Sequence, residues 1–375
     1  MERLIGIAGI LVLLSIALAM SNNRKAISWR LVTWGLGIQL LFAIIILKTP
    51  VGVPFFGAID IGIKNLLSFS DAGSDFLFKS FRNGVVEDPL MNFAFRILPT
   101  LIFFSSLIAV LYHIGIMQFI IKWIARVMQK SMATSGSETL CVSGNIFVGQ
   151  TEAPLLVRPF ISKMTKSELM AIMVSGFATV AGGVMAMYVS MLGDIPGIAG
   201  HLLAASIMSA PAALVIAKII YPETETSETF GDIKIALDNK NDNIMEALSN
   251  GATNGMKLAA NVAAMLVAFV AIIAMVNAIL GLMDLSLQQI FGWLFSPLAW
   301  VMGVPWTEAG IIGSLMGEKL VLTELIAYGD LAKLIATNSI SDRSAIIASY
   351  ALCGFANFAS VGIQLGGIGG IAPER

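Results

Sequence analysis

Charged side chains are scarce in this chain. Only 13% of its 375 residues are charged and 57% are hydrophobic, whereas soluble domains carry about 25% charged residues. That shortage excludes a water-soluble fold, and the sensible count is of membrane spans rather than of cores. Histidine and cysteine are scarcer still, at 2 each. Cys141 and Cys353 are too far apart for a CxxC metal site or a disulfide framework, which leaves two small buried hydrophobes. His113 and His201 have no second ligand type at metal spacing. Neither HExxH nor GxSxG occurs, so an intramembrane hydrolase using Glu152 and Glu324 as acid and base would lack both nucleophile and metal, and the chain is not read as an enzyme. A formal net charge of -1 offers nothing to a nucleic acid.

What is present is a series of apolar runs. Leu4 to Met20 suffices for a short span. It is not a signal peptide, because Glu2 offsets Arg3, the run ends in a poor cleavage site, and Arg24, Lys25 and Arg30 follow it. Those cations place the following loop in the cytoplasm and the N-terminus outside. Leu31 to Leu47 returns outward, and residues 48–90, with amphipathic pieces such as Phe55 to Phe69, read as interfacial helices. A third span over Met91 to Met117 is expected to kink at Pro99 and to lead into a basic amphipathic helix carrying Lys122, Arg126 and Lys130. Glu168 to Met191 and His201 to Ile220 are further spans, the first interrupted by Gly176, Gly182 and Gly183. Tyr221 to Lys257 is hydrophilic and acidic, a solvated connector with a helix near Ile244 to Leu248, and Leu258 to Met283 crosses outward.

Two stretches break this pattern. Ser143 to Phe160, SGNIFVGQTEAPLLVRPF, gathers polar residues, glycines and Pro154 in apolar surroundings. Basic residues flank it on both sides, so residues 132–161 are predicted to dip into the membrane from the cytoplasm and return. Thr307 to Tyr328, containing GEKLVLTELIAY, is a second such hairpin entering from the other side, followed by Ser344 to Gly366, a span with a polar, glycine-rich interior. The two units share an order. Thr151-Glu152 is followed 25 residues after its Thr by Gly-Phe-Ala-Thr at 176–179, and Thr323-Glu324 is followed 31 residues after its Thr by Gly-Phe-Ala-Asn at 354–357. Corresponding interrupted segments of opposite topology form an inverted repeat, the pattern that marks the binding site of a secondary transporter. Intramembrane carboxylates are costly and read as functional, which singles out Glu152 and Glu324 over structural pairing with Arg158 and Lys319.

GNIFVGQTEAPLLVRPF, GEKLVLTELIAY and CGFANFASVGIQLGGIGGIAPER together resemble the concentrative nucleoside transporter family in its bacterial form. The resemblance implies an all-α integral membrane protein of the bacterial inner membrane: a cation-coupled nucleoside importer, forming a homotrimer and moving a transport domain in an elevator-like way against a scaffold. The expected division is residues 1–130 mainly scaffold, 131–220 the first half of the transport domain, 221–284 a cytoplasmic loop and scaffold span, and 285–375 the second half. It further implies that Gln150, Thr151, Glu152 and Val184 face the nucleobase and that Glu324, Phe355, Asn357 and Ser360 face the ribose and base edge. Asn145, Val148, Thr179 and Val180 correspond to the family's Na+ position, and no other cofactor is implied.

The residue types suit that chemistry by themselves: a carboxylate accepts from a cis-diol, amides and hydroxyls read a base edge, and neutral oxygens ligate a hard cation. Two substitutions depart from the family pattern, Thr323-Glu324-Leu325 for Asn-Glu-Phe and Ala359-Ser360 for Ser-Ser, and the family continues into a final span beyond the position of Arg375. Proton coupling through Glu152 and transport of another small polar solute stay open at this level.

Overall fold

The computed structural model describes residues 2–49, 54–65, 98–193, 195–229 and 241–374, and every regular element among them is a helix. Helices α1 (Glu2–Ala19) and α2 (Trp29–Lys48) form an N-terminal pair. Arg24 closes α1 by donating from Nε to Leu18 O at 3.0 Å and from Nη2 to Ala19 O at 3.2 Å, supplying donors to carbonyls that have no intrahelical partner. Helix α3 (residues 54–65) falls where an interfacial helix is expected; its Asp60 accepts from Ala199 N at 3.2 Å in the first turn of a later helix.

The third span is bent after His113. Its described part is α4 (Leu98–His113); the kink expected at Pro99 involves residues before Leu98, which lie outside the described residues. The chain turns by 76° from α4 into α5 (Ile116–Met132), through Gly115 with φ +86. Helix α5 buries Met117, Ile121, Ala125, Met128 and Met132 at helical spacing, leaving Lys122, Arg126 and Lys130 on its other faces as the amphipathic reading expects. The part of the expected span before Leu98 lies outside the described residues.

From residue 136 onward the helices come in interrupted units. The first is α6 (Gly136–Gly144), an irregular stretch, and a 3-10 segment, Ala153–Lys163, with Pro154 at its start and Pro159 inside. The second is α7 (Lys166–Ala178) and α8 (Gly182–Met191), broken at 179–181. Helix α9 (Ile198–Ile220) follows without interruption despite Pro211. Helix α10 (Ile244–Leu280) runs for 37 residues and joins the short helix expected at Ile244 to the span expected at Leu258 into one element. It crosses α4 closely through Gly251 and Gly255, one turn apart, where a Cβ would stand 2.6 Å from the Cα atoms of Ser106 and Ile102.

Helix α11 (Leu287–Val301), capped by a Ser286/Gln289 box, packs along α12 (Trp306–Val321). The last interrupted units are α12 with α13 (Glu324–Ala336), broken at Leu322 and Thr323, and α14 (Asp342–Leu352) with α15 (Phe358–Ile371), broken at 353–357. Three stretches among the described residues are long and apolar enough to cross a membrane, Trp29–Ile46, Lys166–Met191 and Ile198–Ile220, or up to five spans if each bent pair counts as one. Large apolar side chains such as Leu11, Ile16, Trp34, Leu40 and Leu41 stand exposed on α1 and α2, which suits those faces to lipid or to another protein surface.

The break between α14 and α15 depends on Gly354. Its φ is +112, and a Cβ there would stand 2.7 Å from Phe177 O and 2.8 Å from the Ala178 carbonyl carbon. Gly354→Ala therefore adds backbone strain of about 1–3 kcal/mol to a clash with rigid main chain. Its expected result is a clear fall in melting temperature in detergent, measured beside the parent.

Candidate functional site

The interruptions meet. A broken helix leaves N–H and C=O groups without intrahelical partners, and at membrane depth these must pair with other parts of the protein. Gly182 N donates to Phe147 O at 2.9 Å, which joins the first two breaks, and Phe355 N donates to Thr179 O at 3.3 Å, which joins the second to the fourth. Between them lies a cavity of about 200 Å³. All eight side chains expected at a substrate line it: Gln150, Thr151, Glu152, Val184, Glu324, Phe355, Asn357 and Ser360.

One side of the cavity is built around Glu324. It is the first residue of α13, where the helix dipole favours an anion, and Thr323 caps that helix by accepting from Ile326 N at 3.5 Å. Thr at this family departure thus still serves as the cap. Glu324 Oε1 accepts from the Tyr188 hydroxyl at 2.9 Å and Oε2 from Asn357 Nδ2 at 2.7 Å, and the residue is 6% exposed. Asn357 in turn caps α15, its Oδ1 accepting from Ser360 N at 2.7 Å. A carboxylate offers about four acceptor positions. Two other side chains and its own backbone N–H donate to it, and acceptor capacity remains for a ligand.

Among the described residues neither carboxylate forms a direct ion pair with its neighbouring cation, although Lys319 lies near enough to Glu324 to act on it electrostatically. Lys319 donates to Ala351 O at 3.0 Å, satisfying a carbonyl at the end of α14, and among the described residues no direct ion pair joins it to Glu324. Glu152 is likewise unpaired with Arg158; both are exposed, and Glu152 faces the cavity.

The opposite side carries Gln150, whose Nε2 donates to Ser360 Oγ at 3.0 Å. Thr151 and Glu152 are open to the cavity, Val184 is buried beneath it, and Phe355 presents a half-buried ring. Three contributors were not found from the sequence. Tyr188 lies one turn after Val184 on the same helix face, so i,i+4 spacing from a chosen residue would have flagged it. Its ring stacks on Tyr328 with centroids 4.2 Å apart, and the Tyr328 hydroxyl is held by Ser349 O at 2.6 Å. Leu258 reaches the cavity from α10 and Gln364 supports Gln150 from α15, with no local signal for either.

The four residues expected at a cation lie in the first two breaks. Asn145 is fully buried at the end of α6 and donates from Nδ2 to Ser175 Oγ at 2.8 Å. Thr179, buried at the end of α7, donates to Ser175 O at 2.8 Å, so Ser175 brings the two together. Val148 and Val180 are buried in the same two interruptions. Asn145 Oδ1 is buried without a donor. A buried acceptor left unpaired costs free energy, and a small cation beside it would satisfy it. Neutral side-chain and carbonyl oxygens fit a hard monovalent ion such as Na+.

The chain matches three family models: Na+ dependent nucleoside transporter N-terminus over residues 8–81, nucleoside recognition over 94–195, and Na+ dependent nucleoside transporter C-terminus over 201–375. It is 46% identical to an uncharacterized transporter of Haemophilus influenzae, over 100% of this chain and 91% of that protein. It is 41% identical to sodium/nucleoside cotransporter 1 of Mus musculus, again over its whole length but spanning only 59% of the longer mammalian protein. Its fold superposes with TM-score 0.91 on CNTnw solved in an inward-facing substrate-bound state, at 44% identity over 100% of this chain and 91% of that one, and equally on a doubly substituted CNTnw in an outward-facing state. Interrupted helices that meet at a polar cavity, matched along the whole chain, make it a member of the Na+ dependent nucleoside transporter family.

Proposed function

We propose that the protein is a Na+-coupled symporter that imports nucleosides across the bacterial inner membrane by alternating access. One observation carries the reading: Glu324, held at a helix N-terminus by Tyr188 and Asn357, faces the same cavity as Gln150 and Ser360. The first can take the paired hydroxyls of a ribose, the second a base edge, and Phe355 offers a ring face for the base. In this reading Gln150, Thr151, Glu152 and Val184 contact the nucleobase, while Glu324, Phe355, Asn357 and Ser360 contact ribose and base edge. Na+, a co-substrate, is held by Asn145 and Thr179 with backbone carbonyls at Val148 and Val180.

The units around the first and third breaks are re-entrant hairpins, and each with its following broken span forms one half of an inverted repeat. Residues 131–220 and 285–375 make up a transport domain that moves as an elevator against a scaffold of 1–130 and the span within 221–284. The exposed apolar faces of α1 and α2 suit assembly into a homotrimer within lipid. Glu152, open to the cavity, belongs to the substrate rather than to a proton path.

Uptake of labelled uridine into proteoliposomes under an imposed Na+ gradient tests the function. Uptake that persists when choline replaces Na+ and collapses with a protonophore would replace Na+ by H+ in this account. A further result is expected from Tyr188→Phe, which keeps the ring stacked on Tyr328 but removes a donor that orients Glu324. Its KM for uridine should rise about 3- to 10-fold, a fraction of what a charge-assisted bond is worth, with protein yield unchanged.

A further inference from the structure

The amide of Gln150 is oriented from outside the cavity. Gln364 on α15 is 2% exposed, and its Nε2 donates to Met173 O on α7 at 3.1 Å. A backbone carbonyl can only accept, so Gln364 must present its NH2 group there. The same NH2 group donates to Gln150 Oε1 at 2.9 Å. Gln150 is thereby turned so that its own NH2 group meets Ser360 Oγ. Reversing Gln150 would set NH2 against NH2, and reversing Gln364 would set one carbonyl against another and break two buried bonds. Gln364 Oε1 is left buried without a donor, an arrangement tolerated because the reverse leaves more groups unpaired. Ser360, accepting from Gln150, keeps its own hydrogen free to donate.

We propose that Gln364 is a positioning residue that makes the base-facing side of the cavity a hydrogen-bond donor edge, and so helps decide which nucleobase is accepted. The proposal rests on the nucleoside reading of the cavity. With Gln364 in place, Gln150 and Ser360 offer N–H and O–H to the ligand, and a base must answer with a carbonyl oxygen or an unprotonated ring nitrogen. Uridine and cytidine are matched in size and ribose but exchange donor for acceptor at ring positions 3 and 4. Their relative affinity therefore reports the polarity of this edge without reporting its shape.

The test is calorimetric binding of uridine and of cytidine to the purified full chain at fixed Na+, for the parent, Gln364→Met and Gly176→Ala. Methionine keeps the length of glutamine without its amide, which frees Gln150 to present either face. A Cβ on Gly176 would run into Gln364 Nε2 and stand 3.0 Å from Gln150 Cβ, so it disturbs the same relay from α7. The parent should distinguish the two nucleosides, and both variants should move the ratio of the two Kd values toward unity by about 3- to 10-fold. Equal weakening of both nucleosides with the ratio unchanged would make Gln364 a packing residue and overturn the proposal, as would a parent that binds the two equally. If Gln364→Met does not fold, Gly176→Ala decides by the same ratio. A parent that binds neither nucleoside overturns the nucleoside reading itself, a result distinct from normal binding with an unaltered ratio.

Discussion

Glu324→Gln is expected to abolish nucleoside uptake while leaving insertion, fold and yield intact. The side chains have the same size, and the neighbours can adapt: Asn357 Nδ2 still finds a carbonyl oxygen, and the Tyr188 hydroxyl can rotate to accept from the new amide. What disappears is the anion at the start of α13 and its spare acceptor capacity. Hydrogen bonds to a charged group are worth about 1.5 to 3 kcal/mol each, so losing two ribose hydroxyls weakens binding by at least about 100-fold. Binding of uridine to purified protein, read beside uptake, separates lost affinity from lost transport. The parent should show the same dependence from the ligand side, with 2′- and 3′-deoxyuridine both bound more weakly than uridine. Normal transport by Glu324→Gln would return Glu324 to a structural role and end the diol assignment.

Asn145→Leu should strike the cation without striking the fold. Leucine fills nearly the same volume and removes both the unpaired Oδ1 and the donor to Ser175. Ser175 Oγ keeps its bond to Ile172 O at 2.8 Å, so no new orphan is created in a fully buried place. The expected result is an increase of about 10-fold or more in the Na+ concentration for half-maximal uptake, the effect of losing one ligand worth about 1.4 kcal/mol or more, or loss of Na+ dependence altogether. Thr179→Ala should act in the same direction and less strongly, because its hydroxyl is already engaged with Ser175 O. Uptake measured against Na+ concentration decides the matter. An Asn145→Leu profile identical to the parent's would remove the ion from this position.

Several features were legible in the chain because they are local. Hydropathy marks α1, α2 and α9, and the polar, glycine- and proline-bearing stretches mark where the helices stop. Thr323 and Asn357 stand where a new helix starts, and each caps it. The 76° bend between α4 and α5 had no proline to mark it, and a glycine with φ +86 carries it.

By itself, the sequence determined a membrane protein with interrupted helices in two similar units and polar residues at each interruption, since helix formation, capping and apolar burial act over a few residues. The tertiary structure decided which of those residues meet. Tyr188 and Glu324 are 136 positions apart, and Gln150 and Gln364 are 214 apart. No spacing rule reaches so far. Such partners are chosen when broken helices pack together and each unpaired backbone or amide group, cut off from water, has to find a complement in another segment.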